Sequence, residues 1–126
     1  MEQTRFEKGL ETLKKITGSS GSAVVESLKD IAPELADWII SFSYGDVLSR
    51  THLDLKSRQL ATVAALTAMG TATPQLKVHI KGAINVGCSK QEIIEVILQM
   101  AVFAGFPAAI NGINASREVF ENNQRE

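Results

Sequence analysis

The chain has 126 residues, the length of one domain able to bury a core but not to divide it, and a single domain is expected over 1–126. Its 13 Lys and Arg against 14 Asp and Glu leave a formal net charge of −1, with both signs scattered, so no basic stripe or aromatic-interleaved patch argues for nucleic acid. One cysteine excludes an intramolecular disulfide framework and a cysteine-based metal cluster.

Helical spacing recurs along the whole chain. Phe6, Leu10 and Leu13 follow at intervals of four and three, which predicts an amphipathic helix to about Ile16. "GSSGS" (Gly18 to Ser22) breaks it, and Ser22 is suited to cap a short second helix through Ile31. Pro33 opens the next helix, with Leu35, Trp38, Ile39 and Phe42 as its buried stripe; it runs out near Tyr44 and Gly45. The connector "GDVLSRTHLD" is the most polar, irregular stretch in the middle of the chain. Asp54 then caps "LKSRQLATVAALTAMG", which Gly70 ends. Thr73 as N-cap and Pro74 at the first helical position start another helix, stopped by Gly87. Ser89 and Glu92 form a capping box for "KQEIIEVILQMAVFAG", and Pro107 starts a final helix that fades into "ENNQRE". No strand-like alternation appears, and no clear repeat. The expected fold is all-α.

Two of these helices are apolar nearly all round. "LATVAALTAM" has no charged residue and "IIEVILQMAVF" has one. Such helices are buried on most sides, which a domain this small has difficulty doing with its own mass. The surplus apolar surface predicts a homo-oligomer. The longest apolar run, "EIIEVILQMAVFAG", is interrupted by Glu95 and Gln99, so no membrane span is expected. "MEQTRFEKGL" has no hydrophobic signal core, and the expected location is the cytoplasm.

His79 is one of two histidines. At about 100° per residue, Leu76, Ile80, Ala83, Ile84 and Val86 share one arc of its helix, and Lys77, Lys81 and Asn85 share the opposite one. His79 falls inside the apolar arc. It is either a core histidine tied by hydrogen bonds or the lining of a pocket.

The segments "FSYGDVLSR", "LDLKSRQLATVAALTAMG" and "QLKVHIKGAINVGCSKQEIIEVILQMAVFAGFPAAING", with the closing "SREVF", resemble the carboxymuconolactone decarboxylase family. The resemblance runs from about Phe42 to Phe120, and its motifs are specific as an ordered set. It implies an all-helical alkylhydroperoxidase D-like fold assembled as homo-oligomeric rings, commonly hexamers. It also implies one of two chemistries. One branch decarboxylates γ-carboxymuconolactone to the enol-lactone of β-oxoadipate, in protocatechuate breakdown. The other reduces peroxides through a C-x-x-C pair followed by a histidine, with a glutamate on the preceding helix.

The sequence departs from that second branch. Counting back from His79, the two cysteine positions hold Gln75 and Ala72, and the upstream segment offers Gln59 after Arg58 where a carboxylate is needed. Thiol peroxide reduction needs one thiolate to attack and a second thiol to resolve. Cys88, in "NVGCS", lies after the helix and cannot occupy either position.

The decarboxylase branch sets three tasks: bind two carboxylates, stabilise the growing oxyanion, and return a proton to carbon. The lactone acid is a vinylogous relative of a β-keto acid and serves as its own electron sink, so no cofactor and no metal is expected. His79 suits the proton step, because imidazole titrates near neutral pH and an apolar arc shields a dienolate from water. Arg58, in the first turn of a mostly buried helix, is the first choice for a carboxylate; the competing reading is an ion pair with Asp46 or Asp54. Arg50 and His52 lie on the connector, where ligand contacts are common, although simple solvent exposure is favoured for His52. Tyr44 either donates its hydroxyl to the substrate or ends a helix with its ring half-buried. Gln59 is expected to hydrogen-bond in the same pocket. Trp38 reads as core, and Glu95 with Gln99 as a solvated strip or a subunit seam.

Overall fold

The computed structural model describes residues 2–125, with side chains through residue 123. Every regular element among the described residues is helical. The chain divides between Leu55 and Lys56 into two compact units.

The first unit begins with α1 (Arg5–Thr17). Thr4 Oγ1 accepts from the Glu7 N–H at 3.0 Å while the Glu7 carboxylate accepts from the Thr4 N–H at 3.2 Å, a reciprocal cap on two orphan donors. Gly9, Leu13, Ile16 and Thr17 face inward, whereas Phe6, expected in the stripe, is largely exposed. Gly18 ends the helix at φ 59°, a backbone region open to glycine. The next helix, α2 (Ser19–Leu28), starts immediately. The expected break over Gly18 to Ser22 is therefore one residue long, and Ser22 lies inside the helix. Gly21 serves packing: a Cβ there would run into the Thr17 hydroxyl and stand 2.7 Å from Leu13 Cδ1. The helix ends at Leu28, short of Ile31, which is exposed.

Helix α3 (Pro33–Trp38) passes directly into a π-helix over Ile39–Leu48. The expected stripe of Leu35, Trp38 and Phe42 points outward, with Trp38 62% exposed. The inward face is Ala36, Ile40, Ser41, Tyr44 and Gly45. The cause is the closeness of α1. A Cβ on Gly9 would run into the Ile40 carbonyl, and a Cβ on Gly45 would stand 2.5 Å from the Arg5 carbonyl oxygen. At those two contacts only glycine fits, so the face bearing Gly45 turns toward α1, burying Ile40 and Tyr44 with it and carrying Leu35, Trp38 and Phe42 to the other side. Helix continues past Tyr44 and Gly45 to Leu48, and the irregular connector shrinks to 49–54. Arg5 clamps the far end through a forked pair to Asp46, with Nε at 2.9 Å and Nη2 at 2.7 Å.

The second unit is built from α4 (Leu55–Met69), α5 (Thr73–Asn85), α6 (Lys90–Ala104) and α7 (Phe106–Arg125). Its core joins Val63, Leu76, Ile80, Ala83, Cys88, Ile93, Ile97, Ala115 and Val119. Ala72 is the N-cap residue of α5, its carbonyl accepting from the Leu76 N–H at 2.8 Å. Thr73, expected as the cap, is already the first helical residue and makes no capping bond, which puts Pro74 in the first turn where its missing N–H costs nothing. The capping box of α6 forms as expected, with Ser89 and Glu92 exchanging bonds of 3.0 and 2.8 Å. Lys77 bridges α5 to Glu118 of α7 at 2.7 Å.

The two apolar helices are each buried along one seam: Gln59, Val63 and Thr67 on α4, Ile93 and Ile97 on α6. Met69, Leu98, Val102, Phe103, Phe106 and Ile110 remain exposed.

Candidate active site

Glutamine at position 59 is where a seam of four-residue spacing begins on α4. Spacing of four keeps one face of a helix, so Gln59 points where Val63 and Thr67 point, into the second unit. It is 0% exposed. Its amide nitrogen lies 3.2 Å from His79 Nδ1 and 3.2 Å from the His79 carbonyl oxygen, so both amide hydrogens reach one residue of α5. Gln59 Oε1 has no hydrogen-bond partner among the described residues.

His79 stands one residue before the fully buried Ile80, at the edge of the arc formed by Leu76, Ile80 and Ala83. It is half-buried rather than enclosed. Desolvation by burial holds its pKa below the usual 6.5, because taking the imidazolium from water is costly. The shift favours the uncharged ring.

Arg58 immediately precedes Gln59 and leaves the helix about 100° away from it, half-buried. Its carbonyl accepts from Thr62 Oγ1 at 2.8 Å. On the first unit, Tyr44 is 6% exposed, and burial pushes its phenol up to about 12, so it is a proton-bearing donor. The Tyr44 carbonyl accepts from Ser49 Oγ, which in turn meets Thr12 Oγ1 at 2.6 Å. Arg50 is exposed and lines a cleft of about 270 Å³ on the same unit, together with Lys15, Thr12, Ser49 and Asp54. His52 is exposed. Asp46, one expected partner for Arg58, has its carboxylate on Arg5, which holds its pKa low. Glu95 and Gln99 are exposed on α6, and Trp38 is not core.

Cys88 is buried beyond the end of α5, its Sγ 3.5 Å from the Lys56 carbonyl oxygen. Ala72 and Gln75 occupy the cap and first turn of the histidine's helix. Among the described residues no three His, Cys, Asp or Glu side chains gather as a metal site, and no helix is long and apolar enough to cross a membrane.

The link between Gln59 and His79 was not readable from spacing, since 20 residues separate them. The one available signal is that both are polar residues on otherwise apolar helical faces. Thr67, on the same seam, is a further buried polar side chain, with no partner for its hydroxyl among the described residues.

A chain whose described elements are all helical, with a half-buried histidine held by a glutamine of another helix and no thiol pair before it, defines a helical protein whose candidate chemistry is acid–base or hydrogen-bonding. The chain belongs to the Carboxymuconolactone decarboxylase family, which residues 33–118 match. It is 31% identical over 122 residues to a 4-carboxymuconolactone decarboxylase of Acinetobacter baylyi, covering 96% of this chain and 90% of that protein. An uncharacterized 15.0 kDa protein of Paracoccus denitrificans is 27% identical, over 98% of this chain and 93% of its own. A nitrosuccinic acid decarboxylase of Metarhizium robertsii is 29% identical, over 93% of this chain and 82% of its own.

Proposed function

We propose that this protein is a cofactor-free carboxy-lyase acting on γ-carboxymuconolactone or a related acid. The carrying observation is the half-buried His79, braced by the Gln59 amide at 3.2 Å, in a chain similar to two named decarboxylases. The two substrates in those names share a chemistry. Both are acids with two carboxylates, and in both the departing carboxylate sits where the remaining electron pair spreads onto oxygen, of a lactone carbonyl or a nitro group. The proposed substrate class is a dicarboxylic acid that is its own electron sink.

In the proposed reaction the bond to the carboxylate breaks, carbon dioxide leaves, and the electron pair becomes a dienolate. One proton, drawn from water, then returns to carbon, so that a C–H bond replaces the bond to the carboxylate. His79 is the proposed catalytic residue, its ring hydrogen-bonding the oxyanion and relaying the proton that water supplies, from a site partly shielded from bulk solvent. Arg58 is the proposed cation for a substrate carboxylate. On the first unit, Arg50 beside Lys15 offers positive charge and Tyr44 a phenolic donor, and both are proposed as substrate ligands there. The domain is proposed as one family unit over 1–126, and the assembly as a homo-oligomer of six copies. The exposed Val102, Phe103 and Phe106 support self-association.

The peroxide-reducing alternative is disfavoured by Ala72 and Gln75 and by a lone buried thiol. The test is to incubate purified protein with γ-carboxymuconolactone, and separately with nitrosuccinate, and to measure carbon dioxide release. Release from either acid supports the reading. No release from either, with hydroperoxide consumed instead, overturns it.

A further inference from the structure

We infer that Gln59 is a positioning residue that holds His79 in its neutral form with the proton on Nε2, leaving that N–H as the ring's working donor. The His79 carbonyl can only accept, so at 3.2 Å it orients the Gln59 amide with nitrogen toward His79 and Oε1 away. A flipped amide would press two oxygens together. The second hydrogen of the same nitrogen points to Nδ1, also at 3.2 Å. An Nδ1–H there would set donor against donor, so Nδ1 carries its lone pair and the ring proton sits on Nε2.

The same contact discriminates against the imidazolium, which bears a proton on both nitrogens. Burial acts in the same direction. The unpartnered Oε1 points to the same role. A fully buried side chain that leaves its acceptor unsatisfied contributes through its donor end, and here that end is spent wholly on His79. Gln59 thus acts on substrate through the histidine. A neutral imidazole offering Nε2–H is suited to stabilise an oxygen anion by hydrogen bonding, a role known for neutral histidines in enolising enzymes.

The role of that N–H toward substrate rests on the proposed decarboxylation; the protonation state does not. The experiment is long-range proton–nitrogen correlation spectroscopy on full-length protein labelled with ¹⁵N-histidine, near neutral pH. His79→Gln assigns the His79 signals, and the exposed His52 supplies an internal reference. The expected wild-type pattern is an unprotonated Nδ1 and a protonated Nε2. In Gln59→Glu the new carboxylate can only accept from the ring, so the proton should move to Nδ1 and its resonance to the protonated region. Gln59→Met, of similar length without a donor, should lose exclusive Nε2–H and show exchange between both forms. A wild-type ring protonated on Nδ1 overturns the inference whatever the variants do. So does a wild-type pattern retained in Gln59→Met and in any folded Gln59→Glu. The expected spectra, found in a protein that releases no carbon dioxide from either acid, would uphold the positioning role while removing the proposed reaction.

Discussion

The Gln59 amide nitrogen meets His79 twice, at 3.2 Å from ring Nδ1 and 3.2 Å from the backbone carbonyl oxygen. One buried side chain on α4 therefore fixes both the orientation of the ring and the helix turn that carries it.

His79→Gln should lower decarboxylation on the order of 10²–10⁴-fold, the usual contribution of a positioned acid–base group. Melting temperature and particle mass should change little, because glutamine keeps similar size on a half-buried face. Arg58→Lys should differ in kind and mainly raise KM, since lysine keeps the charge and loses the planar fork. Steady-state kinetics on γ-carboxymuconolactone separates the two. Unaltered turnover in His79→Gln would count against the histidine's role.

The lowered pKa of His79 carries a pH dependence of stability. The unfolded chain binds a proton near the ordinary value of 6.5, and the folded chain resists it. The contribution is complete above 6.5 and is lost as pH falls from there through the lower folded pKa. Carboxylates titrate nearby, so the informative quantity is the difference between wild type and His79→Gln. Denaturant midpoints measured from about pH 7.5 to about pH 5 should fall more steeply in the wild type. Parallel curves would contradict the desolvated histidine.

Gly9→Ala should destabilise the first unit. Alanine gains about 1 kcal/mol of helix propensity, but its Cβ collides with the Ile40 backbone, which no rotamer change relieves. A net loss of about 1–3 kcal/mol is expected, read as a lower melting temperature. Lys8→Ala, at an exposed position one residue earlier, should stay within about 0.5 kcal/mol.

Light scattering in dilute physiological buffer should give a mass several times that of one chain. Phe103, 78% exposed on α6, is the point to test. Phe103→Glu should lower the mass without unfolding the helices, as judged by far-ultraviolet circular dichroism, because a charge on a covered apolar face is costly. A monomeric wild type would remove the oligomer proposal.

Local chemistry was legible wherever neighbours in sequence act on each other. The Ser89–Glu92 capping box, the turn at Gly87, the start of the last helix near Pro107 and the apolar arc of α5 all depend on residues within one or two turns. Family membership was legible for a related reason: the motifs from Phe42 to Phe120 are contiguous strings of residue types. The wholly helical character follows from the same spacing.

What tertiary structure decided is what depends on distant backbone. Periodicity points Leu35, Trp38 and Phe42 inward, but α1 approaches so closely at Gly9 and Gly45 that the face bearing Gly45, Ile40 and Tyr44 turns in and those three turn out. "GSSGS" looked like a break, yet one residue at positive φ suffices, and Gly21 is spent on contact with Leu13. Position 79 was marked as a polar residue on an apolar face by its sequence alone. Its partner, its tautomer and its depressed pKa required the fold, because a hydrogen bond across 20 residues and the loss of solvent around a ring exist only once helices pack.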